Sequence, residues 1–390
     1  MSAIARTPSS SGTVTDPIRV MVVDDSVVVR GLVGRWLDEE PGLAVVASHR
    51  NGRLAVDDVL RSNPDVVILD IEMPDMDGLT ALPLLIEKKK NLVVVVASTL
   101  TRRNAEISLK ALSLGAADYI PKPESNSGIT TSTDFRRELI AKVLSLGQRA
   151  KHRGLPGQAP SARPAPRTGA GAPPAPTGAL KASRPATFTI RPYSSVKPRI
   201  LAIGSSTGGP QALNTLFNEI GSSIGQVPVV LTQHMPPTFT AILAEHITKA
   251  AGRPAAEGRD GDVVRPGHIY VAPGGKHMLL AKNGSDIVIK LSDAPPVNFC
   301  KPAVDPLFKS VVDIFGTATL AVILTGMGSD GAEGVRKIGE VGGSTIVQDE
   351  ETSVVWGMPG AAAHTGMCSD VLPLNEIGRK VSKILLGGRP

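Results

Sequence analysis

Three sets of polar residues in this 390-residue chain have types and spacings suited to chemistry. In the C-terminal half, Gly204-Ser205-Ser206-Thr207-Gly208 satisfies G-x-S-x-G with Ser206 at its centre. Glycines on both sides let a chain turn sharply between strand and helix and expose the central hydroxyl as a nucleophile. A serine hydroxyl is a weak nucleophile and needs a base. His234 is the candidate, because it closes the apolar run VPVVLTQ with a helical stretch to follow from about Ala241. Asp330, in GMGSDGAEG, follows the apolar run TLAVILT where a helix begins, and peptide dipoles there favour an anion. Its carboxylate can accept from the His234 ring, fix the tautomer and stabilise the imidazolium. Backbone N–H groups of the same turn, that of Met327 among them, are candidates to stabilise an oxyanion. Each residue also has a plainer reading: a helix-capping or phosphate-cradling turn, a satisfied core histidine, an N-cap aspartate.

The second set lies in the N-terminal third. Asp24 and Asp25 end one apolar run, Asp70 a second and Ser98 a third, and Lys122 follows a fourth. Three carboxylates on one edge repel one another unless a divalent cation sits among them, and such oxygen ligands suit Mg2+. Lys122 supplies a second cation, and the Ser98 hydroxyl is placed to bond an oxyanion carried on Asp70. The third set is Gly326-x-Gly328-x-x-Gly331, which reads as a dinucleotide fingerprint between a strand and a helix, with Asp349 and Glu350 about twenty residues on. Against it, Asp330 would place a carboxylate inside the loop that should hold a pyrophosphate, and Ser206 and His234 would have no role.

The elements that must position these residues follow from periodicity. In residues 18–147, IRVMVV, LAVVAS, DVVIL, LVVVVA and YI alternate with the helical stretches 27–39, 52–61, 79–88, 101–113 and 134–146. Continuous apolar strands alternating with helices predict a doubly wound, flavodoxin-like α/β domain, with function at the carboxyl ends of its strands. In residues 199–390, RILAIGSS, VPVVLTQ, TLAVILT and STIVQ, with helical spacing after the first at Leu213, Leu216, Phe217 and Ile220, predict a second α/β domain built on a parallel sheet.

Composition excludes several classes. The net charge of +6 comes from residues 148–198, which hold nine Lys or Arg, ten Pro and no acid, so the rest of the chain is net acidic. That segment reads as a disordered basic linker, and residues 1–17 as a disordered leader. With few aromatics and no basic recognition helix outside the linker, nucleic-acid binding is not expected. No apolar run approaches a bilayer span, so neither is membrane insertion. Two cysteines without a C-x-x-C pattern, and no secretory signal, point to a reducing, cytoplasmic setting.

VDDS, LDIEMPDMDG and YIPKP resemble a two-component receiver domain across nearly all of residues 18–147. The resemblance implies that Asp70 accepts a phosphoryl group from a histidine kinase, that Asp24, Asp25 and Asp70 hold Mg2+, that Lys122 contacts the phosphoryl group, and that Ser98 and Tyr119 are switch residues. IGSSTGG, QHMPPTFT, PGHIYVAPGGKH and ILTGMGSDGAEG, behind a receiver, resemble the CheB family of chemotaxis methylesterases. That resemblance implies hydrolysis of glutamate methyl esters on chemoreceptors and deamidation of receptor glutamines, with Ser206 as nucleophile, His234 as base and Asp330 as orienting acid. No cofactor is implied for the hydrolase. Ser205 stands where the family usually has Ala, which raises the question of which serine reacts, and the linker is long for the family. The other reading is a response regulator whose output domain binds a nucleotide or a partner through its glycine turns. With neutral His234 as base, activity is expected to rise through an apparent pKa of roughly 6 to 7.

Overall fold

The computed structural model describes residues 16–122, 133–154 and 188–388. The first unit is a five-stranded parallel sheet of β1 (Ile18–Val23), β2 (Leu43–His49), β3 (Val66–Asp70), β4 (Val93–Thr99) and β5 (Asp118–Lys122), in the order β2-β1-β3-β4-β5. Around it pack α1 (Val27–Asp38), α2 (Gly52–Ser62), α3 (Gly78–Lys88), α4 (Arg102–Ser113) and α5 (Thr133–Gly154). β3 is buried at every residue, as a central strand with both faces covered must be. Polar caps start the helices where the sequence places them: Ser26, Asn51, Asp77 and Thr101 each accept a backbone N–H from the first turn that follows.

The second unit is a seven-stranded parallel sheet in the order β14-β13-β12-β6-β7-β9-β8. Its strands are β6 (Ile200–Ser205), β7 (Val229–Gln233), β8 (Ala255–Glu257), β9 (Ile269–Val271), β12 (Thr319–Ile323), β13 (Ser344–Gln348) and β14 (Asp370–Leu372), and a hairpin of β10 (His277–Asn283) and β11 (Asp286–Ser292) is set apart from them. The helices are α6 (Gly209–Ile220), α7 (Phe239–Ala251), α8 (Val304–Phe315), α9 (Ala332–Glu340), α10 (Gly357–His364) and α11 (Leu374–Leu385). The chain builds outward from β6 in one direction through β7 and in the other through β12. The crevice at the carboxyl end of β6 is therefore a topological switch point, where open α/β sheets place their sites. The helix after His234 begins at Phe239, two residues ahead of the expected start.

The linker departs from expectation at both ends. α5 runs on to Gly154, past the boundary expected at 147. Residues 188–198 lie on the second unit: the Phe188 ring packs against Trp356 and His364, Arg191 N–H donates to the Cys368 carbonyl, and Tyr193 hydroxyl donates to Asp370. These residues carry aromatic and hydrogen-bonding side chains that compensate ordering, which the Ala/Pro/Gly composition of the stretch as a whole conceals. The expected disordered tether between them, residues 155–187, lies outside the described residues, as does the leader up to residue 15.

The two units also dock. Tyr119 on β5 stacks on Phe239 at the start of α7, with ring centroids 4.6 Å apart and planes at 10°. Gln211 on α6 donates from Nε2 to the carbonyls of Leu112 (3.4 Å) and Ala116 (2.9 Å), and Arg102 pairs with Glu245 at 2.8 Å. Val355 joins the first unit's apolar cluster around Trp36, Phe135 and Leu139, and Met327 and Val354 pack against it.

Candidate active site

Ladder register brings the first two residues together. Ser205 pairs with Gln233 across β6 and β7, so Ser206 and His234 are the next residues on adjacent strands, and His234 N–H continues the ladder to the Ser205 carbonyl at 3.1 Å. The turn after β6 separates the two serines. Ser205 is fully buried, and its hydroxyl donates to Gln233 Oε1 at 2.7 Å. Ser206 is half-buried at the apex, its N–H bonded to the Thr325 carbonyl at 3.0 Å and its carbonyl accepting from Gln233 Nε2 at 2.9 Å. Gln233 thus clamps the elbow from both sides, a role its place beside His234 in sequence did not suggest. Gly208 holds φ of +74°, and a Cβ there would meet Val354 at 2.5 Å, so glycine is required both for backbone and for space.

Asp330 is buried and accepts from His234 Nε2 at 2.7 Å. It does not cap the helix it precedes. Its oxygens accept instead from the first two N–H groups of α8, Val304 at 2.6 Å and Asp305 at 3.1 Å, and from Gly331 N–H at 3.0 Å. α8 has no side-chain cap of its own, so Asp330 serves as one supplied from another loop. Asp305, in the first turn of α8, returns the arrangement by accepting from Gly334 N–H in α9 at 2.7 Å. Both helix N-termini beside the G-x-G-x-x-G turn are therefore already served by carboxylates, and a pyrophosphate would meet an anion at either. Burial raises the Asp330 pKa, but the His234 ring and the α8 N–H groups outweigh it and hold the carboxyl below its ordinary value. Asp305 is pushed up to about 6, by burial first and by the Asp330 charge in addition, with the Gly334 bond opposing.

A carboxylate only accepts, so the Nε2 of His234 carries the proton and Nδ1 is the ring atom left to act as base. Nδ1 lies 3.3 Å from Cys300 Sγ, a contact no sequence pattern indicated. The imidazole is drawn toward neutrality by burial, yet the Cys300 sulfur and the Asp330 carboxylate prevail and its pKa is pushed up to about 10. Ser206 makes no hydrogen bond with this ring, a looseness common before substrate binds. The Gly326 backbone, one residue before Met327, is so close to Ser206 that a Cβ on it would lie 2.8 Å from Ser206 Cβ.

In the first unit, Asp24, Asp25 and Asp70 bring their carboxylate oxygens within 4.8 Å of one another. Asp24 and Asp70 are buried, Asp25 is exposed, and Lys122 Nζ lies 3.0 Å from Asp24 and 2.7 Å from Asp70. Burial pushes Asp70 up to about 6, with Lys122 opposing and Asp24 adding to the rise. Ser98 directs its hydroxyl at the carbonyls of Thr99 and Asn104 and accepts from Ser108 at 2.8 Å, so it is turned into α4. Tyr119 is buried in the stack on Phe239.

The second unit matches the CheB methylesterase family over residues 201–381, and the first matches the response regulator receiver domain over residues 20–134. A protein of Bradyrhizobium diazoefficiens described as a protein-glutamate methylesterase/protein-glutamine glutaminase of group 2 operon is 55% identical over 386 residues, 98% of this chain and 97% of that one. This chain belongs to that family. A protein-glutamate methylesterase/protein-glutamine glutaminase of Nitrobacter hamburgensis is 57% identical over 372 residues, 95% of each chain. Among solved structures, the Thermotoga maritima CheB methylesterase catalytic domain is 38% identical and covers 48% of this chain and 100% of that one, with a TM-score of 0.47. The family's two-part organisation accounts for both polar clusters, each at the carboxyl edge of its own parallel sheet. Among the described residues no helix is long and apolar enough to cross a membrane.

Proposed function

We propose that the chain hydrolyses glutamate methyl esters and deamidates glutamines on chemoreceptors, with Ser206 as nucleophile, His234 as base and Asp330 as the residue that orients it. The observation that carries this is the 2.7 Å Asp330–His234 pair beside the half-buried Ser206 at the switch point. Ser206 Oγ attacks the ester carbonyl as its proton passes to His234 Nδ1. The tetrahedral oxyanion is stabilised by backbone N–H groups of the surrounding turns, Met327 first among them. Methanol leaves with the imidazolium proton, and water then attacks the acyl-enzyme by the same route in reverse. With glutamine the leaving group is ammonia. Methanol release from methylated receptor membranes, measured with and without a phosphodonor, tests the assignment, and absence of release under both conditions overturns it.

Asp70 is the acceptor of the phosphoryl group from a histidine kinase, with Lys122 beside it. The hard oxygen set of Asp24, Asp25 and Asp70 fits Mg2+, which when bound neutralises charge on the transferred phosphoryl group. Ser98 turns from α4 toward the phosphoryl group, and Tyr119 transmits the change, because its ring rests on the first residue of the helix that follows His234. The docked receiver holds the hydrolase in a low-activity state. Gln211→Glu tests this without touching the catalytic residues: a carboxylate facing the Leu112 and Ala116 carbonyls repels where the amide donated. The unphosphorylated variant is expected to turn over several-fold faster than wild type, and an unchanged rate would remove docking from the regulation.

The surroundings of His234 also revise its expected titration. A base must be neutral, and a ring whose pKa is raised becomes neutral only at higher pH. The groups facing it are Cys300 at Nδ1 and Asp330 at Nε2, with Asp305 behind Asp330. The ascending limb of kcat/KM for the docked protein is therefore expected above pH 7 rather than at 6 to 7, and Cys300→Ala is expected to move it down. A limb at 6.5 in both proteins would show that Cys300 does not govern the base.

A further inference from the structure

We propose that Cys300 is a reactive thiol seated on the catalytic base, and that its oxidation by hydrogen peroxide switches the hydrolase off. Cys300 lies in the strap between β11 and α8, and the strap is anchored on both sides. His277 Nε2 donates to the Pro295 carbonyl at 3.0 Å while its Nδ1 accepts from Ala303 N–H at 3.1 Å, and Lys301 Nζ donates to the Asp293 carbonyl at 2.9 Å. Between these anchors the backbones of Val297 and Cys300 exchange hydrogen bonds at 3.1 and 2.9 Å. That tight turn puts Asn298 and Phe299 at φ of +51° and +65°, conformations non-glycine residues adopt at a cost, and the Arg137 guanidinium lies over the Phe299 ring at 4.5 Å.

The result is a thiol aimed at one atom. Cys300 Sγ lies 3.3 Å from Nδ1 of His234, and Asp330 holds the other ring nitrogen at 2.7 Å. Cysteine, histidine and aspartate in line are the arrangement that activates a thiol, since the ring accepts the thiol proton and the carboxylate stabilises the imidazolium formed. Cys300 is half-buried, whereas the other cysteine, Cys368, is fully enclosed and has no such neighbour. The two thiols thus differ in reactivity within one chain.

The step balances with peroxide as the named oxidant. The thiol proton passes to Nδ1, and the thiolate sulfur attacks one peroxide oxygen. The S–O bond forms as the O–O bond breaks, and the leaving hydroxide takes the imidazolium proton as water. Sulfur loses two electrons and peroxide gains them, leaving a sulfenic acid that dithiothreitol reverses. The added oxygen occupies the Nδ1 face, the atom Ser206 needs. The effect on turnover rests on His234 being the base, as assigned above, whereas the reactivity of the thiol does not.

The test uses the full-length chain. Iodoacetamide labelling followed by mass spectrometry is expected to modify Cys300 well ahead of Cys368, and His234→Gln or, as a second variant, Asp330→Asn is expected to slow Cys300 labelling roughly tenfold or more. Peroxide is expected to remove most methanol release and dithiothreitol to restore it, while Cys300→Ala, measured against its own untreated rate, keeps its activity through the same treatment. Cys300 labelling at the same rate in wild type and both variants would overturn the activated thiol. Stoichiometric Cys300 oxidation with undiminished methanol release would overturn the switch. Because labelling is read without any substrate, failure of the thiol and failure of the assigned reaction give different results.

Discussion

Ser206→Ala is expected to lower methanol release by a factor on the order of 10^5 to 10^6, leaving what binding and the oxyanion donors supply. The turn gives the two neighbouring serines different surroundings. Ser205 ends β6 fully buried and bonded to Gln233, while half-buried Ser206 stands at the apex beside Gly326 and His234. Ser205→Ala is expected to leave the rate within a few-fold of wild type. Its effect falls on stability, because Gln233 Oε1 loses its donor, and a buried acceptor left unpaired costs about 1–3 kcal/mol. Paired rate and melting measurements on the two variants separate these roles. If Ser205→Ala is the inactive protein and Ser206→Ala the stable, active one, the elbow has been assigned in the wrong order.

Asp330→Asn is the second large effect, with turnover expected to fall by about 10^4. The carboxylate accepts from Nε2–H and so leaves Nδ1 as the base. An amide nitrogen in its place donates, the ring answers with the other tautomer, and Nδ1 then carries a proton where Ser206 needs a lone pair. The same residue caps α8, so stability changes as well, and pH separates the two contributions. The folded-state pKa of Asp330 is depressed. Its stabilisation is therefore present above the ordinary carboxylate range and is lost as pH falls through its lowered pKa. The wild-type advantage in melting temperature over Asp330→Asn should accordingly persist at neutral pH and shrink on acidification below about pH 4. A variant that keeps the wild-type rate at neutral pH would take Asp330 out of the chemistry and leave it only the cap.

Much of this arrangement was legible from residues alone, for a reason of connectivity. In a parallel sheet every strand delivers its last residue to the same edge, so apolar runs ending in Ser205-Ser206 and Gln233-His234 place chemistry at one edge without any knowledge of packing. The glycines at 204 and 208 and the helical spacing of Leu213, Leu216 and Phe217 are local signals, and the strand, tight turn and helix they predict are found, with β6 ending at Ser205 and α6 starting at Gly209. The acidic cluster around Asp70 follows from the same rule applied to the first sheet.

What the sequence by itself determined, then, was two parallel-sheet units, the strand ends that bear Asp70, Ser206 and His234, and the family to which their motifs belong. The tertiary structure decided everything that depends on elements distant along the chain meeting in one register. It turned Asp330 away from its own helix to the N-terminus of α8, which begins 26 positions earlier and lacks a cap. It set Cys300 on the base through a strap anchored by His277, and so raised the His234 pKa above the range expected of an isolated imidazole. It also docked two units that composition separates, stacking Tyr119 on Phe239, and ordered both ends of a segment whose average composition reads as a tether. Periodicity and turn chemistry are properties of neighbours along the chain. A hydrogen bond between loops, or a desolvated ring beside a sulfur, exists only once long-range packing has removed water and fixed the distance.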